Sequence, residues 1–356
     1  MTIHAERRNS LAATLQERDL AGAFIGNLIN VRYLTGFTGS NGALWLNSEG
    51  SAVFLTDGRY KDQAADEVIG IEHEITRELT KQSAARMQSG QWAVETHALS
   101  VDAYALLAEA TPGATLVSLQ RRVEQLREVK DETEIETLRR ACALSTRALE
   151  GLIAGPLVGR SERDIARDLE SRMYELGAEA IAFDTILATG PNSAIPHHAP
   201  TDRLVETGDL LKMDFGARVD GYHADCTRTF VAGKAADWQR EIYTAVQEAQ
   251  AAGLDQLRDG IPVAKSLESV RKVLESAGWL ESFTTGLGHG VGLQIHEDPF
   301  ITNRDAGKME PRTVMTMEPG IYLPGRGGVR IEDTVVVTSG APEVLTMMTK
   351  DLLELA

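Results

Sequence analysis

Apolar and polar positions change period along the chain, and each change marks an element. Ala5 to Arg18 carries Leu11 and Leu15 at helical spacing, and Leu20 to Ile25 is an apolar run of strand length. Polar interruptions follow it. Ala43 to Leu46 and Ala52 to Leu55 read as strands joined by a turn at Asn47 to Gly50, and beyond Gly58 the pattern turns helical. Strand and helix patterns alternate again from Ala93 to Val117, so residues 1–123 predict an α/β domain. Leu119 to Leu138 is dense in charge with few, scattered apolar residues, which predicts a linker leading into a helix capped by Asp131 or Thr133. Residues 124–356 then predict an α+β domain. Its helices fall at about 132–153, 161–176, 236–257 and 263–276, and its strands near Phe183 to Ala188, in a hairpin over 211–230 and in later segments. Ser161, with Asp164 three residues on, starts the second helix, and Gly177 stops it. A helix pair followed by acid-bearing strands occurs twice, which hints at an internal duplication.

Acids interrupt this pattern where apolar side chains would ordinarily stand. In LKMDFGARVDGYHADCTRTF, Leu211 to Phe230, the pair Asp220-Gly221 is a strong hairpin-turn signal. A turn centred on it sets Asp214 opposite Thr227, with Asp225 as diagonal neighbour on the same face. A solvated hairpin face would account for two such aspartates alone. Later, Glu318 ends a strand of β-branched and Met residues, and Glu332 interrupts Val329, Ile331, Val335 and Val336. An unpaired carboxylate inside such a strand costs several kcal/mol unless a cation or donor compensates it. A hairpin about Gly325 puts positions 318 and 332 opposite each other. His289 and His296 lie in TGLGHGVGLQIHEDP among glycines that permit close backbone approach, although a glycine-flanked histidine is often a plain loop residue. Taken together, Asp214, Asp225, His289, Glu318 and Glu332 exceed what one ion needs. Bridging carboxylates would let them hold two divalent ions about 3.5–4 Å apart around a shared water. The oxygen-rich set suits Mn²⁺, with Zn²⁺, Co²⁺ or Fe²⁺ as alternatives.

Composition narrows the class. A length of 356 residues suggests two domains. Hydrophobic content of 43% with 25% charged residues is that of a soluble globular protein. The net charge of -16 argues against nucleic acid or an anionic membrane as partner, and bound cations would offset part of it. Cys142 and Cys226 offer no disulfide framework and fit a reducing compartment, and alternation turns Cys226 into the core, away from the face of Asp225. The N-terminus has no apolar core of a signal peptide and nowhere do eighteen apolar residues run together, so a cytoplasmic protein is expected. Gly36, Gly39 and Gly42 open no strand-turn-helix unit and read as turn glycines rather than a dinucleotide site.

The ordered motifs MDFGARVDGYHADCTRTF, GLGHGVGLQIHEDP, TMEPGIY and GVRIEDT resemble the pita-bread metallopeptidases, the group that holds methionine aminopeptidase, prolidase and aminopeptidase P. FDTILATGPNSAIPHHAP resembles the Xaa-Pro peptidase branch, and YLTGFTGSNGALWL with TDGRYKDQA resembles the creatinase-type N-terminal domain of those enzymes. Creatinase shares the fold without the metals, whereas all five ligand positions are filled here. The resemblance implies that Asp214 holds one ion, that His289 and Glu318 hold the other, and that Asp225 and Glu332 bridge them. It implies that Glu318 passes a proton, that His197 and His296 contact substrate near the scissile bond, and that Arg330 stands beside the last ligand, as catalytic residue or as ion-pair partner of a ligand. Tyr322 and Thr227 are expected beside the ligands, Tyr322 also towards substrate, and His198 is expected to be structural. The implied activity is hydrolysis of the Xaa-Pro bond of a proline-containing peptide by a homodimer. GFTGS and DGRY look more like aminopeptidase P than prolidase, which is the alternative. Arg330 sets the chain apart from methionine aminopeptidases, and the intact ligand set sets it apart from a binding module that has lost catalysis.

Overall fold

The computed structural model describes residues 2–302 and 307–355. The chain divides into two compact units, Met1–Arg127 and Glu128–Ala356. The first is built on a six-stranded sheet whose spatial order is Glu72–Ile75, Ala52–Thr56, Gly42–Asn47, Gly22–Ile25, Gly90–Val94 and Ala114–Ser118. The three middle strands pair antiparallel and the flanking pairs are parallel, as helical crossovers require.

Two expectations for this unit fail. The polar stretch after Ile25 contains a helix, Leu28–Thr35, capped by the Asn27 side chain and ended by Gly36 at φ 86°. Two turns are too few to show a period, so only its caps carried a signal. The presumed linker contains the helix Arg122–Glu128. Its charges turn inward: Glu124 accepts from Asn30 Nδ2 at 2.8 Å, and Arg127 Nη1 donates to Asn30 Oδ1 at 2.8 Å. Paired charges bury where isolated ones cannot.

In the second unit the helices fall as the pattern indicates. Glu132–Ile153 starts at a capping box of Asp131 with Glu134, and Glu162–Glu175 starts where Ser161 accepts from Asp164 N and ends before Gly177 at φ 105°. Asp237–Leu254 and Ala264–Ser276 follow. The strand expected near Phe183 is shifted to Ile186–Thr189. Two sheets carry the rest. One orders Glu354–Leu355, Cys226–Ala232, Leu210–Phe215 and Ile186–Thr189; the other orders Glu297–Phe300, His289–Gly290, Val314–Met317, Asp333–Val336 and Glu343–Val344. Alternation along Leu210–Phe215 sends Leu211, Met213 and Phe215 into a core with Leu149, Ile165, Leu169, Cys226 and Phe230. Lys212 and Asp214 face the other way. A second core packs Ile242, Val246 and Val270 against Met315, Met317, Ile321 and Val335. No helix among the described residues is long and apolar enough to cross a membrane.

Candidate metal centre

Strand register brings the acids together. Asp220 and Gly221 adopt φ of 47° and 79°, the left-handed pair a two-residue hairpin turn needs, and Val219 pairs with Tyr222 across them. The same register runs back to Thr227 opposite Asp214. Asp225 therefore falls opposite Gly216, where a Cβ would lie 1.8 Å from the Ala224 carbonyl oxygen, so only glycine lets the strands close beside it.

The second hairpin repeats the arrangement with one difference. Met317 pairs with Asp333 and Gly320 with Arg330, so Glu318 and Glu332 face each other between these pairs. Glu332 is not inside a strand, as its apolar neighbours suggested, but at a break between Gly327–Arg330 and Asp333–Val336. The break turns its backbone towards the first hairpin: Glu332 N donates to Thr227 O at 3.1 Å, and Thr227 Oγ1 donates to Glu332 Oε2 at 2.7 Å. The two hairpins are thus locked together at the acids themselves. His289 enters from the second sheet, with Gly288 backed so closely on Thr316 O that a Cβ would sit 2.2 Å away.

Ligand atoms of Asp225, His289 and Glu332 lie within 4.8 Å of one another. His289 Nε2 is 3.5 Å from Asp225 Oδ2 and 3.6 Å from Glu318 Oε1. Burial pushes the His289 ring down to about 4, so it is neutral at pH 7. Its Nδ1 lies 3.0 Å from the Gly290 carbonyl, which can only accept, so the proton sits on Nδ1 and Nε2 presents a lone pair to the carboxylates. Asp214 pairs with Arg330 through one oxygen, while its buried Oδ1 has no hydrogen-bond partner among the described residues. Lone pairs aimed at lone pairs, with a carboxylate oxygen that no protein donor reaches, make a donor set that a cation would satisfy. The protonation equilibria agree. Burial, then Glu332, holds the Asp225 carboxyl well above the carboxylate range; burial, then Glu318, does the same to Glu332; burial lifts Glu318 to about 7 against the pull of Arg330. These residues fit divalent metal.

The acids line a cavity of about 370 Å³. His197 and His296 stand on its wall with Phe183, Ile186 and Ile295. The His296 ring meets that of His289 edge to face, centroids 4.5 Å apart. Burial, followed by the neighbouring His197, lowers the pKa of His296. Arg330 and Tyr322 do not line this cavity. Both are buried behind Asp214, where Arg330 donates to the Tyr322 hydroxyl at 2.8 Å and to Thr227 Oγ1 at 3.1 Å. Tyr322, expected towards substrate, instead braces the arginine that braces a ligand. His198 also lines the cavity, with its ring held 2.8 Å from Glu162.

Two residues here escaped the reading of the sequence. Glu162 looked like an ordinary first-turn acid, yet it accepts from Thr189 N, Asn192, His198 and Thr201 and ties down the segment bearing His197. Lys212 does carry a signal in the sequence, a charge in the apolar run Leu-Leu-Lys-Met-Asp-Phe.

Residues 136–339 match metallopeptidase family M24, and residues 7–129 match the creatinase/prolidase N-terminal domain. The chain belongs to metallopeptidase family M24. This M24 peptidase is 34% identical to the Xaa-Pro dipeptidase of Pyrococcus furiosus over 359 residues, 98% of this chain and 99% of that one. Among solved structures, the Xaa-Pro dipeptidase from Bacillus anthracis superposes with a TM-score of 0.94 at 34% identity, covering 99% of this chain and 100% of its own. The X-Pro aminopeptidase from Thermotoga maritima gives a TM-score of 0.89 at 32% identity, with 98% and 99% covered. The M24 peptidase therefore has the pita-bread catalytic domain behind a creatinase-type N-terminal domain that its motifs suggested, and its family is one of divalent-metal enzymes.

Proposed function

We propose that this M24 peptidase hydrolyses the peptide bond on the amino side of proline, acting as an Xaa-Pro dipeptidase. The observation that carries the reading is the convergence of four carboxylates and the neutral His289 on the lining of a cavity that His197 and His296 also line. Full-length similarity to proteins named Xaa-Pro dipeptidase supports the substrate class. A cavity of about 370 Å³ lies at the small end of ligand sites and suits a dipeptide.

Asp214 would hold one ion, His289 and Glu318 the other, with Asp225 and Glu332 shared between them; Mn²⁺ is the metal proposed, with Zn²⁺ or Co²⁺ as substitutes. Bound divalent ions supply a water that ionises near neutral pH and polarise the scissile carbonyl. The chain's own groups do the rest. Glu318 accepts a proton from the attacking water and returns it to the prolyl nitrogen. His296 is neutral at pH 7, and a ring N–H from it or from His197 steadies the charge gathering on the carbonyl oxygen, worth about 3 kcal/mol by comparison with other oxyanion donors. The scissile bond is a tertiary amide without an N–H. Selection therefore falls on the shape of the ring, for which Phe183, Ile186 and Ile295 offer apolar surface. The active form proposed is a cytoplasmic homodimer.

Aminopeptidase P, the reading favoured by GFTGS and DGRY, stays as the second possibility because of the likeness to the Thermotoga maritima X-Pro aminopeptidase. Mn²⁺-supplemented hydrolysis of Ala-Pro, Ala-Pro-Ala and Met-Ala-Ser separates them. Preference for Ala-Pro supports the dipeptidase and preference for Ala-Pro-Ala transfers the assignment to aminopeptidase P. Cleavage of Met-Ala-Ser alone, or peptide binding without turnover, overturns both.

A further inference from the structure

Lys212 takes no part in the chemistry above, yet it is completely buried. It sits two residues before Asp214 on the strand Leu210–Phe215, on the same face. Its Nζ donates to Ile195 O at 2.6 Å and to Pro196 O at 3.1 Å, and lies 5.2 Å from the centre of the Tyr322 ring. Arg330 Nη1 donates to the same Pro196 carbonyl at 3.2 Å. Ser193, at the start of this segment, is fixed separately, since its hydroxyl accepts from Gly328 N at 2.9 Å. Two side-chain donors thus grip the main chain at the two residues that precede His197, whose own ring is exposed, lines the cavity and makes no hydrogen bond among the described residues. His198, one residue further, is held from the other side by Glu162.

Burying an amine is costly whether or not it is charged, and leucine or methionine would fill the strand without that cost. Packing alone does not explain a lysine here. We propose that Lys212 is a positioning residue that fixes His197 for substrate by clamping the Ile195 and Pro196 carbonyls, with no role in holding metal. A reacting group displaced by about 1 Å can lose on the order of 100-fold in rate, so the clamp has ample leverage. The inference rests on the proposed Xaa-Pro hydrolysis for its kinetic test only.

Lys212→Met keeps length and volume and removes the donors. In a cycle with His197→Ala on Ala-Pro, Lys212→Met is expected to lower kcat/KM by about 10- to 100-fold alone and by less than about threefold in the His197→Ala background, with bound metal unchanged. Equal losses in both backgrounds, or loss of metal, overturn the proposal. The second readout needs no activity. In the metal-free protein with labelled histidine, the ring resonance that disappears in His197→Ala should shift or broaden in Lys212→Met while that of His198 stays in place. An unmoved His197 resonance overturns the proposal even if no Xaa-Pro peptide is cleaved, a result that would instead sink the proposed function. If Lys212→Met does not fold, both readouts are taken on Lys212→Gln, whose shorter amide cannot reach both carbonyls.

Discussion

Glu318→Gln removes one charge from the acid cluster with almost no change in volume, and the structure predicts that it stabilises the protein while destroying the enzyme. Burial lifts the Glu318 carboxyl to about 7, Asp214 adding to the rise and Arg330 opposing it. An unfolded glutamate titrates near 4.3. Between those values the metal-free folded chain keeps a proton that the unfolded chain has lost, so stability falls as pH rises through the window, and the whole penalty stands above pH 7. At about 1.4 kcal/mol per pH unit the ceiling is about 3–4 kcal/mol. The side chain is 19% exposed, and screening by that water reduces the figure to about 2–3 kcal/mol. Glutamine carries no such penalty. Urea unfolding in excess EDTA should therefore place the variant about 2–3 kcal/mol above wild type at pH 8 and within about 1 kcal/mol at pH 5, with the slope m unchanged. Adding Mn²⁺ should reverse the order, because only wild type retains its full ligand set. A variant no more stable than wild type at pH 8, or a gap that does not shrink towards pH 5, would refute the electrostatic account of the cluster.

Other outcomes follow from the same geometry. Asp225→Asn, measured by metal analysis and Ala-Pro hydrolysis, should lose both metal and activity; a fully active variant contradicts the bridging role. His197→Ala should lose most of its activity, with a measurable residue, and keep metal. Arg330→Lys keeps the charge but not the fork that reaches Asp214, Thr227, Tyr322 and the Pro196 carbonyl. It should cost about 2–3 kcal/mol by denaturation and lower kcat, because buried acceptors are left unpaired. Chelation should abolish hydrolysis, and Mn²⁺ at about 100 times its Kd should restore it and add about 2.7 kcal/mol of stability.

Much of the site was legible because buried charge is conspicuous in an apolar strand, and because hairpin register is fixed by the turn. Asp220-Gly221 alone sets Asp214 opposite Thr227. A hairpin centred on Gly325 likewise predicts Glu318 facing Glu332, and Met317 with Asp333 and Gly320 with Arg330 keep that register. The motif order was equally readable. Local patterns failed where the signal was short or where polarity was satisfied by distant partners. The helix Leu28–Thr35 is too brief for a period, and the inward charges of Arg122–Glu128 look solvated until Asn30 is brought against them. The break that frees Glu332 could not be seen either, since it exists only because Thr227 of the other hairpin supplies its hydrogen bonds. Sequence alone therefore determined which side chains share a strand face, a matter of alternation and turn chemistry over a few residues. Only the tertiary structure decided that Arg330 and Tyr322 stand behind the acids and that Lys212 grips the segment bearing His197, because those contacts join residues far apart in the chain and depend on how the sheets pack.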